Sequence, residues 1–192
     1  MRYCIFGGSF DPPHQGHKYL AESAIKTLEL DTIFWVPSPN PPHKQKPRTD
    51  LQDRIEMVKL LIQNQSQQVV SDIEKSLPSP SYSLHTIHAL QKKYGPEHTW
   101  FFLIGADNWK IFPTWYKPEE VLKALTLVVF PREGVEIGVL PSGVQKLTMP
   151  EMDLRSSHIR ETLTKGLSFD DANVPEEIRT YILDHHLYGF KN

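Results

Sequence analysis

The sequence feature that most constrains the fold is a set of short apolar runs separated by longer amphipathic segments. Residues 99–104 (TWFFLI) form a continuously apolar run, which is typical of a parallel strand covered on both faces. Residues 3–6, 32–36 and 126–130 have the same character, and residues 68–73 are predicted to form a further strand. Because parallel strands are joined by crossover connections, this pattern predicts an α/β domain with a mostly parallel sheet.

The segments between these runs have the periodicity of amphipathic helices. Leu20, Ala24 and Leu28, for example, fall on one face of a helix over residues 17–28. Asp50 is placed to cap the helix that follows the second strand. The predicted helices cover residues 17–28, 51–62, 83–94, 118–125 and about 157–165, and a last helix has Pro175 at its first position and ends near Gly189.

The order of these elements predicts the organisation of the chain. Strands that alternate with helices indicate a Rossmann-like, doubly wound sheet. We predict a single domain over residues 1–192, with a helical C-terminal part, residues 151–192, packed on it. Residues 132–150 have little pattern and are predicted to be irregular. Ligands bind such sheets beyond the carboxyl ends of the strands, so the predicted site loops are residues 7–17, 37–48 and 105–116.

Composition narrows the class of protein. The chain has 21 basic and 23 acidic residues and a formal net charge of -2, which argues against nucleic-acid binding because such proteins usually carry a basic excess. The single cysteine, Cys4, excludes an internal disulfide and is predicted to be a small core residue. No apolar run approaches the ~18 residues of a membrane span, so we expect no membrane partner and a cytoplasmic location. Homo-oligomerisation is left open.

The most unusual stretch is CIFGGSFDPPHQGHKYL, residues 4–20. Glycines after a strand let the backbone turn sharply and let a ligand approach the main-chain N–H groups. A helix that begins near Gly16 adds free N–H donors and a partial positive charge. These features predict a cradle for phosphate oxygens, with His14 and His17 as donors that a neighbouring phosphate would help to protonate.

Other interpretations of this stretch remain open on the residues alone. The glycines could serve only a tight turn with solvated histidines. A metal site is less consistent with the sequence, because no cysteine or suitably spaced acidic residue completes a ligand set. The stretch is not a P-loop, since it lacks the Gly-Lys-Ser/Thr end, and it does not contain G-x-G-x-x-G.

Complete sequence motifs are more specific than the individual glycines and histidines. GGSFDPPHQGH resembles the G-[ST]-F-[DN]-P-x-H-x-G-H signature of nucleotidyltransferases whose H-x-G-H motif binds the triphosphate of ATP. Five further stretches resemble, in family order, those of bacterial nicotinate-mononucleotide adenylyltransferases: VPSPNPPHK (36–44), SYSLHTI (81–87), IGADNWKIFPTWYKPEEVL (104–122), LRSSHIRETL (154–163) and VPEEIRTYILDHHLY (174–188). These matches span almost the whole chain.

The resemblance implies a reaction between two nucleotides. Nicotinate mononucleotide would attack the α-phosphorus of ATP, giving deamido-NAD and pyrophosphate, with Mg²⁺ carried by the phosphates of ATP rather than by a protein site. The phosphate nucleophile is largely dianionic at neutral pH and needs no strong base, so positioning and electrostatics would dominate catalysis. Nicotinamide mononucleotide as the main substrate, phosphopantetheine, and a catalytically silent nucleotide-binding sensor are the alternatives.

Residue roles follow from the matched motif positions. The resemblance implies that His17, His14, Lys44 and Arg160 act on the reacting phosphates. It implies that ATP is bound by Gly8, Ser9, Phe10, Gly105, Asp107, Ser156 and Ser157. It implies that nicotinate mononucleotide is bound by His43, Ser83, Trp115 and Tyr116. The position and the lysines of the proline-rich loop, residues 37–48, predict that this loop is a mobile lid.

Each role has a structural alternative. Trp115 could be a core or surface anchor, Asp107 could cap a helix, and Arg160 could be an ordinary surface arginine. The lysines of the proline-rich loop could be solvated. The sequence also departs from the family pattern at Arg155, which replaces a serine, and at His85; neither residue nor Arg132 is assigned a role.

Overall fold

The computed structural model of the chain describes residues 1–43, 46–150, 155–165 and 174–189. These residues form six strands and seven α-helices. The strands are β1 (Arg2–Gly8), β2 (Thr32–Pro37), β3 (Gln68–Val70), β4 (Thr99–Gly105), β5 (Thr126–Phe130) and β6 (Val144–Lys146). The helices are α1 (Gln15–Leu28), α2 (Leu51–Leu61), α3 (Ser83–Tyr94), α4 (Ala106–Ile111), α5 (Pro118–Ala124), α6 (Ser156–Thr164) and α7 (Glu176–Asp184).

The six strands form one sheet in the order β3-β2-β1-β4-β5-β6. Every neighbouring pair is parallel; Cys4 of β1, for example, lies opposite Ile33 of β2 and Phe101 of β4. The chain moves outward from β1 to β3 and then crosses to the other side of β1 to form β4. The predicted Rossmann-like fold is therefore confirmed, and its switch point, where ligands bind in such sheets, lies between β1 and β4.

Helices cover both faces of the sheet, which explains why the strands are apolar without alternation. On one face, Cys4 and Phe6 of β1 pack in a cluster with residues of α1, α2, α6 and α7. On the other face, Tyr3 and Ile5 pack with residues of α3 and α5. Cys4 is fully buried, so the prediction that it is a core residue is confirmed. Within the described part of the chain, no helix combines the length and apolar character needed to cross a bilayer.

Three elements differ from the sequence prediction in the middle of the chain. β3 ends at Val70, and a 3-10 turn over Ile73–Ser76 follows, because the chain bends there to bury Glu74. The turn predicted at Gly105 leads directly into α4. Residues 144–146, which were predicted to be irregular, form β6; a three-residue strand with only Val144 buried gives too short a pattern to recognise.

The helix ends also differ in detail. Helix α1 begins at Gln15, two residues before the predicted start. Asp50 occupies the predicted capping position of α2, but its side chain makes no capping hydrogen bond. Pro175 precedes α7 rather than beginning it, and α7 ends at Asp184 because the backbone of the next turn is left-handed, with φ 51° at His186.

Candidate active site

A cavity of about 550 Å³ lies beyond the carboxyl ends of the strands at the switch point. The structure brings together all predicted site residues that it describes, and they line this cavity: Gly8, Ser9, Phe10, His14, His17, His43, Ser83, Gly105, Asp107, Trp115, Tyr116, Ser156, Ser157 and Arg160. Lys44 lies outside the described residues. Residues from the three predicted loops and from the starts of α3 and α6 thus meet at one place.

The turn after β1, residues 8–14, is called the phosphate loop here. Its shape depends on Gly8, because a Cβ atom there would lie 2.9 Å from the ring of Phe10. That ring is wedged against Phe6 and Trp35, with centroid distances of 5.2 Å to each, and is almost fully buried. Phe10 itself has φ 48°, an unfavourable left-handed conformation for an aromatic residue. The loop is therefore a packed structure rather than a simple solvated turn.

The two histidines form a stacked pair at the start of α1. Their ring centroids lie 3.7 Å apart, with 32° between the ring planes. The main-chain N–H of His14 donates to Nδ1 of His17 at 3.3 Å. Because Nδ1 of His17 accepts this hydrogen bond, the neutral imidazole of His17 carries its proton on Nε2. His17 thus enters the cavity wall as a hydrogen-bond donor with a defined tautomer.

His14 is buried, with 3% of its surface exposed, in the wall of the cavity. Burial, assisted by the charge of Arg132, lowers the pKa of His14 from 6.5 to about 3. Its Nδ1 atom has no hydrogen-bond partner among the described residues. Burial of His14 therefore favours the neutral imidazole, which has no charge to solvate.

The N-terminus of α6 closes the other side of the phosphate loop. Ser156 donates from Oγ to the Pro12 carbonyl at 2.9 Å, and Arg160 donates to the Asp11 carbonyl at 2.6 Å. The side chain of Arg160 is only 21% exposed, so it is not an ordinary surface arginine. These contacts place the N–H groups of the first turn of α6 beside the phosphate loop, where they favour an anion.

The opposite end of the cavity is aromatic. The rings of Trp115 and His43 are nearly parallel, at 15°, with centroids 6.3 Å apart. A flat ring inserted between Trp115 and His43 would contact both of them if their ring planes lay about 7 Å apart. A small widening of the present gap between the two rings would therefore admit one flat ring. Tyr116 stacks on Tyr82 at 4.6 Å beside it, and Ser83 begins α3 at the same end.

Gly105 and Asp107 lie at the end of β4. A Cβ atom at Gly105 would collide with the Asp107 carboxylate and would lie 3.3 Å from the ring of Phe130, so a larger residue there would displace the Asp107 side chain. Asp107 is half exposed, with Oδ1 3.9 Å from Nε of Arg132. The guanidinium of Arg132 lies over the Phe130 ring, 5.0 Å from its centroid. Burial lowers the pKa of Arg132, and Asp107 opposes this shift.

Sequence reasoning missed several buried polar residues around the cavity. The Asp11 carboxylate accepts from the main-chain N–H of Arg48 and from the hydroxyl of Tyr188, each at 2.8 Å. Glu74 lines the cavity and accepts from Thr86 at 2.7 Å, while burial raises the pKa of Glu74. Asp11 lay within the first motif and Thr86 within SYSLHTI, so both could have been singled out; Glu74 had no local signal.

The acidic residues of the cavity bear on metal binding. Among the described residues, no group of three or more histidine, cysteine or acidic side chains is arranged to hold a metal ion. Asp11 already accepts hydrogen bonds from Arg48 and Tyr188, and Oε1 of Glu74 accepts one from Thr86. The donor set fits a Mg²⁺ ion that is held mainly by the phosphates of a bound nucleotide, because Mg²⁺ often has few protein ligands.

Comparisons with known proteins agree with this geometry. The cytidylyltransferase-like family model matches residues 5–162. A protein from Exiguobacterium sibiricum named "Probable nicotinate-nucleotide adenylyltransferase" is 36% identical over 191 residues, covering 98% of this chain and 100% of the relative. The nicotinate-nucleotide adenylyltransferase of Bacillus subtilis is 35% identical over 185 residues, 96% of each chain. The same fold is found in Plasmodium falciparum nicotinic acid mononucleotide adenylyltransferase, which was solved in complex with NaAD. The two structures superpose with a TM-score of 0.82 and 21% sequence identity, over 99% of this chain and 98% of the other.

Proposed function

The chain belongs to the nicotinate-nucleotide adenylyltransferase family of cytidylyltransferase-like proteins, and we propose that it transfers AMP from ATP to nicotinate mononucleotide, giving deamido-NAD and pyrophosphate. The observation that carries this proposal is one cavity with two chemically different ends. His14, His17 and the N-terminus of α6 form an anion-binding end, and Trp115 with His43 forms an end that fits a flat ring. A mononucleotide and a nucleoside triphosphate need both ends at once.

The reaction needs positioning and charge stabilisation more than proton transfer. An oxygen of the mononucleotide phosphate forms a bond to the α-phosphorus of ATP, and the bond from that phosphorus to the bridging oxygen of the pyrophosphate group breaks. The attacking phosphate has a second pKa near ~6, so it is already largely a dianion at neutral pH. His17 donates from Nε2 to the reacting phosphate, and Arg160 with the first turn of α6 receives the departing pyrophosphate.

The remaining predicted roles belong to the same proposal. Gly8, Ser9 and Phe10 bind phosphate oxygens, and Asp107 accepts from a ribose hydroxyl beside Gly105. Lys44, which lies outside the described residues, is assigned to phosphate binding by its motif position alone. A Mg²⁺ ion bound to the phosphates of ATP would neutralise part of their charge. At the aromatic end, Ser83 is the first residue of the 12-residue helix α3, and the free N–H groups of such a helix end favour a carboxylate over an uncharged carboxamide. This favours nicotinate over nicotinamide mononucleotide.

The test is steady-state pyrophosphate release from MgATP with each mononucleotide, with the dinucleotide product identified by chromatography. We expect turnover that favours the nicotinate form, and His17→Ala should lower kcat by roughly 10²-fold or more while the fold persists. His88→Ala, an exposed histidine on α3 outside the cavity, is the matched control and should leave kcat unchanged. Turnover with neither mononucleotide would instead support a silent nucleotide-binding protein.

A further inference from the structure

We propose that Arg54 is a positioning residue for the transfer reaction: it fixes the phosphate loop so that the main-chain N–H of Phe10 points at the reacting phosphates. The expected effect of Arg54 on catalysis rests on the proposed function. Its effect on the phosphate loop would apply to any triphosphate bound in the cavity. Arg54 does not line the cavity, so it acts through the loop rather than on the substrate.

Arg54 joins three segments that are distant in sequence. It lies on α2 with 1% of its surface exposed. One terminal nitrogen donates to the Ser9 carbonyl at 2.6 Å and to the Ser38 carbonyl at 2.9 Å, and Nε donates to the Thr49 carbonyl at 3.0 Å. Ser9 is in the phosphate loop, Ser38 is near the start of the proline-rich loop, and Thr49 directly follows that loop. One guanidinium therefore sets the position of both loops.

The contact with Ser9 has a defined consequence for the next N–H group. The Ser9–Phe10 peptide is trans, and in a planar trans peptide the C=O and N–H bonds point in opposite directions. A Ser9 carbonyl held toward Arg54 therefore turns the Phe10 N–H away from α2, toward the cavity that Ser9 and Phe10 line. Within residues 1–43, 46–150, 155–165 and 174–189, no hydrogen bond from the Phe10 N–H to a protein group is seen.

The same contact helps to keep Phe10 in its unfavourable backbone conformation. Phe10 has φ 48°, and such conformations persist only where the surroundings hold them, commonly at functional sites. A lysine in place of Arg54 would keep the positive charge, but its single ammonium lacks the planar fork that reaches Thr49 and Ser9 from different nitrogens. Asp11 and Glu74 lie close enough to Arg54 to oppose the effect of burial on its pKa, so the buried charge is compensated.

The experiment compares Arg54→Lys with Met57→Ala, a change on the same helix at a residue that is equally buried but packs only in the core. Both variants should lose thermal stability. Arg54→Lys should lower kcat by about 10²-fold, the effect expected for a misplaced donor, with the KM for ATP changed less than about 3-fold. Met57→Ala should keep kcat within about 3-fold of the wild type. A kcat for Arg54→Lys near the wild-type value, or an equal loss in Met57→Ala, would overturn the proposal.

A second measurement does not depend on turnover. In amide nuclear magnetic resonance spectra of the full chain, α,β-methylene-ATP should shift the Phe10 resonance in the wild type and in Met57→Ala, and the shift should be at least halved in Arg54→Lys. No Phe10 shift in the wild type, or an equal shift in all three proteins, would contradict the role of Arg54. Absence of wild-type turnover together with the expected pattern of shifts would reject the proposed function and leave the role of Arg54 supported.

Discussion

Tyr188→Phe tests whether the C-terminal segment stabilises the phosphate loop. Tyr188 lies in a short 3-10 turn after α7, and its hydroxyl donates to Oδ1 of Asp11 at 2.8 Å. Asp11 is 2% exposed, and its other oxygen already accepts from the N–H of Arg48. The substitution removes one oxygen atom and keeps the ring. It therefore removes a hydrogen bond between two residues that are 177 positions apart in the sequence.

The expected loss follows from the burial of the acceptor. A hydrogen bond to a buried charged group contributes about 1.5–3 kcal/mol, because water cannot replace the lost donor. For a protein of this size, each kcal/mol corresponds to about 2–4 °C in Tm, so Tyr188→Phe should lower Tm by roughly 3–12 °C. In urea unfolding, the midpoint should fall while the slope of free energy against urea concentration stays the same.

The matched control is Tyr181→Phe, in α7. Tyr181 also donates to an aspartate, Oδ1 of Asp53 at 3.0 Å, but Asp53 is only partly buried. Water replaces the lost donor there, so the free energy of unfolding should change by only about 0.5 kcal/mol. Equal losses in the two variants, or no loss in Tyr188→Phe, would refute the reasoning from burial.

The dependence of the free energy of unfolding on alkaline pH gives a second test of Tyr188. Burial and the charge of Asp11 raise the pKa of Tyr188 above its ordinary value of 10.0. The folded protein then holds a proton that the unfolded chain releases above pH 10, so the free energy of unfolding falls as the pH rises past that value. Tyr188→Phe should make this decline shallower by up to about 1.4 kcal/mol per pH unit.

Two further predictions concern the cavity. The pKa of His14 is lowered from 6.5 to about 3, so below pH 6.5 the unfolded chain binds a proton that the folded protein does not. The free energy of unfolding should therefore fall with decreasing pH. Urea unfolding between pH 7 and pH 5 should show a shallower decline in His14→Gln than in the wild type. Trp115→Leu should raise the KM for nicotinate mononucleotide by up to about 10-fold through lost stacking, while the KM for ATP measured in the same assays stays unchanged.

The sequence predicted the fold well where the signal is local. The run at residues 99–104 and the helical periodicity before and after it depend on neighbouring residues, and they became β4 and the helices that cover it. The two-sided burial of this sheet makes its central strands, β1, β2, β4 and β5, apolar over most of their length, which separates them from half-exposed strands. The first motif located the turn after β1 for the same reason, since its glycines and histidines are contiguous.

The sequence could not predict the buried charges that support the site. Arg54 is a polar position on an amphipathic helix, where a solvated side chain is the usual outcome. Its contacts with Ser9 and Ser38 join residues 45 and 16 positions apart, and Glu74, which follows the strand predicted over residues 68–73, contacts Thr86. Only the tertiary arrangement of α2 and β2 brings these groups together.

The same arrangement explains how a slightly acidic chain presents a cationic cavity. Among the described residues that line it, the cationic side chains outnumber the carboxylates: Lys46, Arg48, Arg132, Arg155 and Arg160 against Asp11, Glu74 and Asp107. Asp11 and Oε1 of Glu74 also accept hydrogen bonds from the protein, which partly offsets their negative charge. A net charge of -2 therefore describes the whole surface but not this site. The fold concentrates cationic side chains at this site, because loops from distant parts of the chain meet at the carboxyl ends of the parallel strands. The positive local field there attracts phosphate.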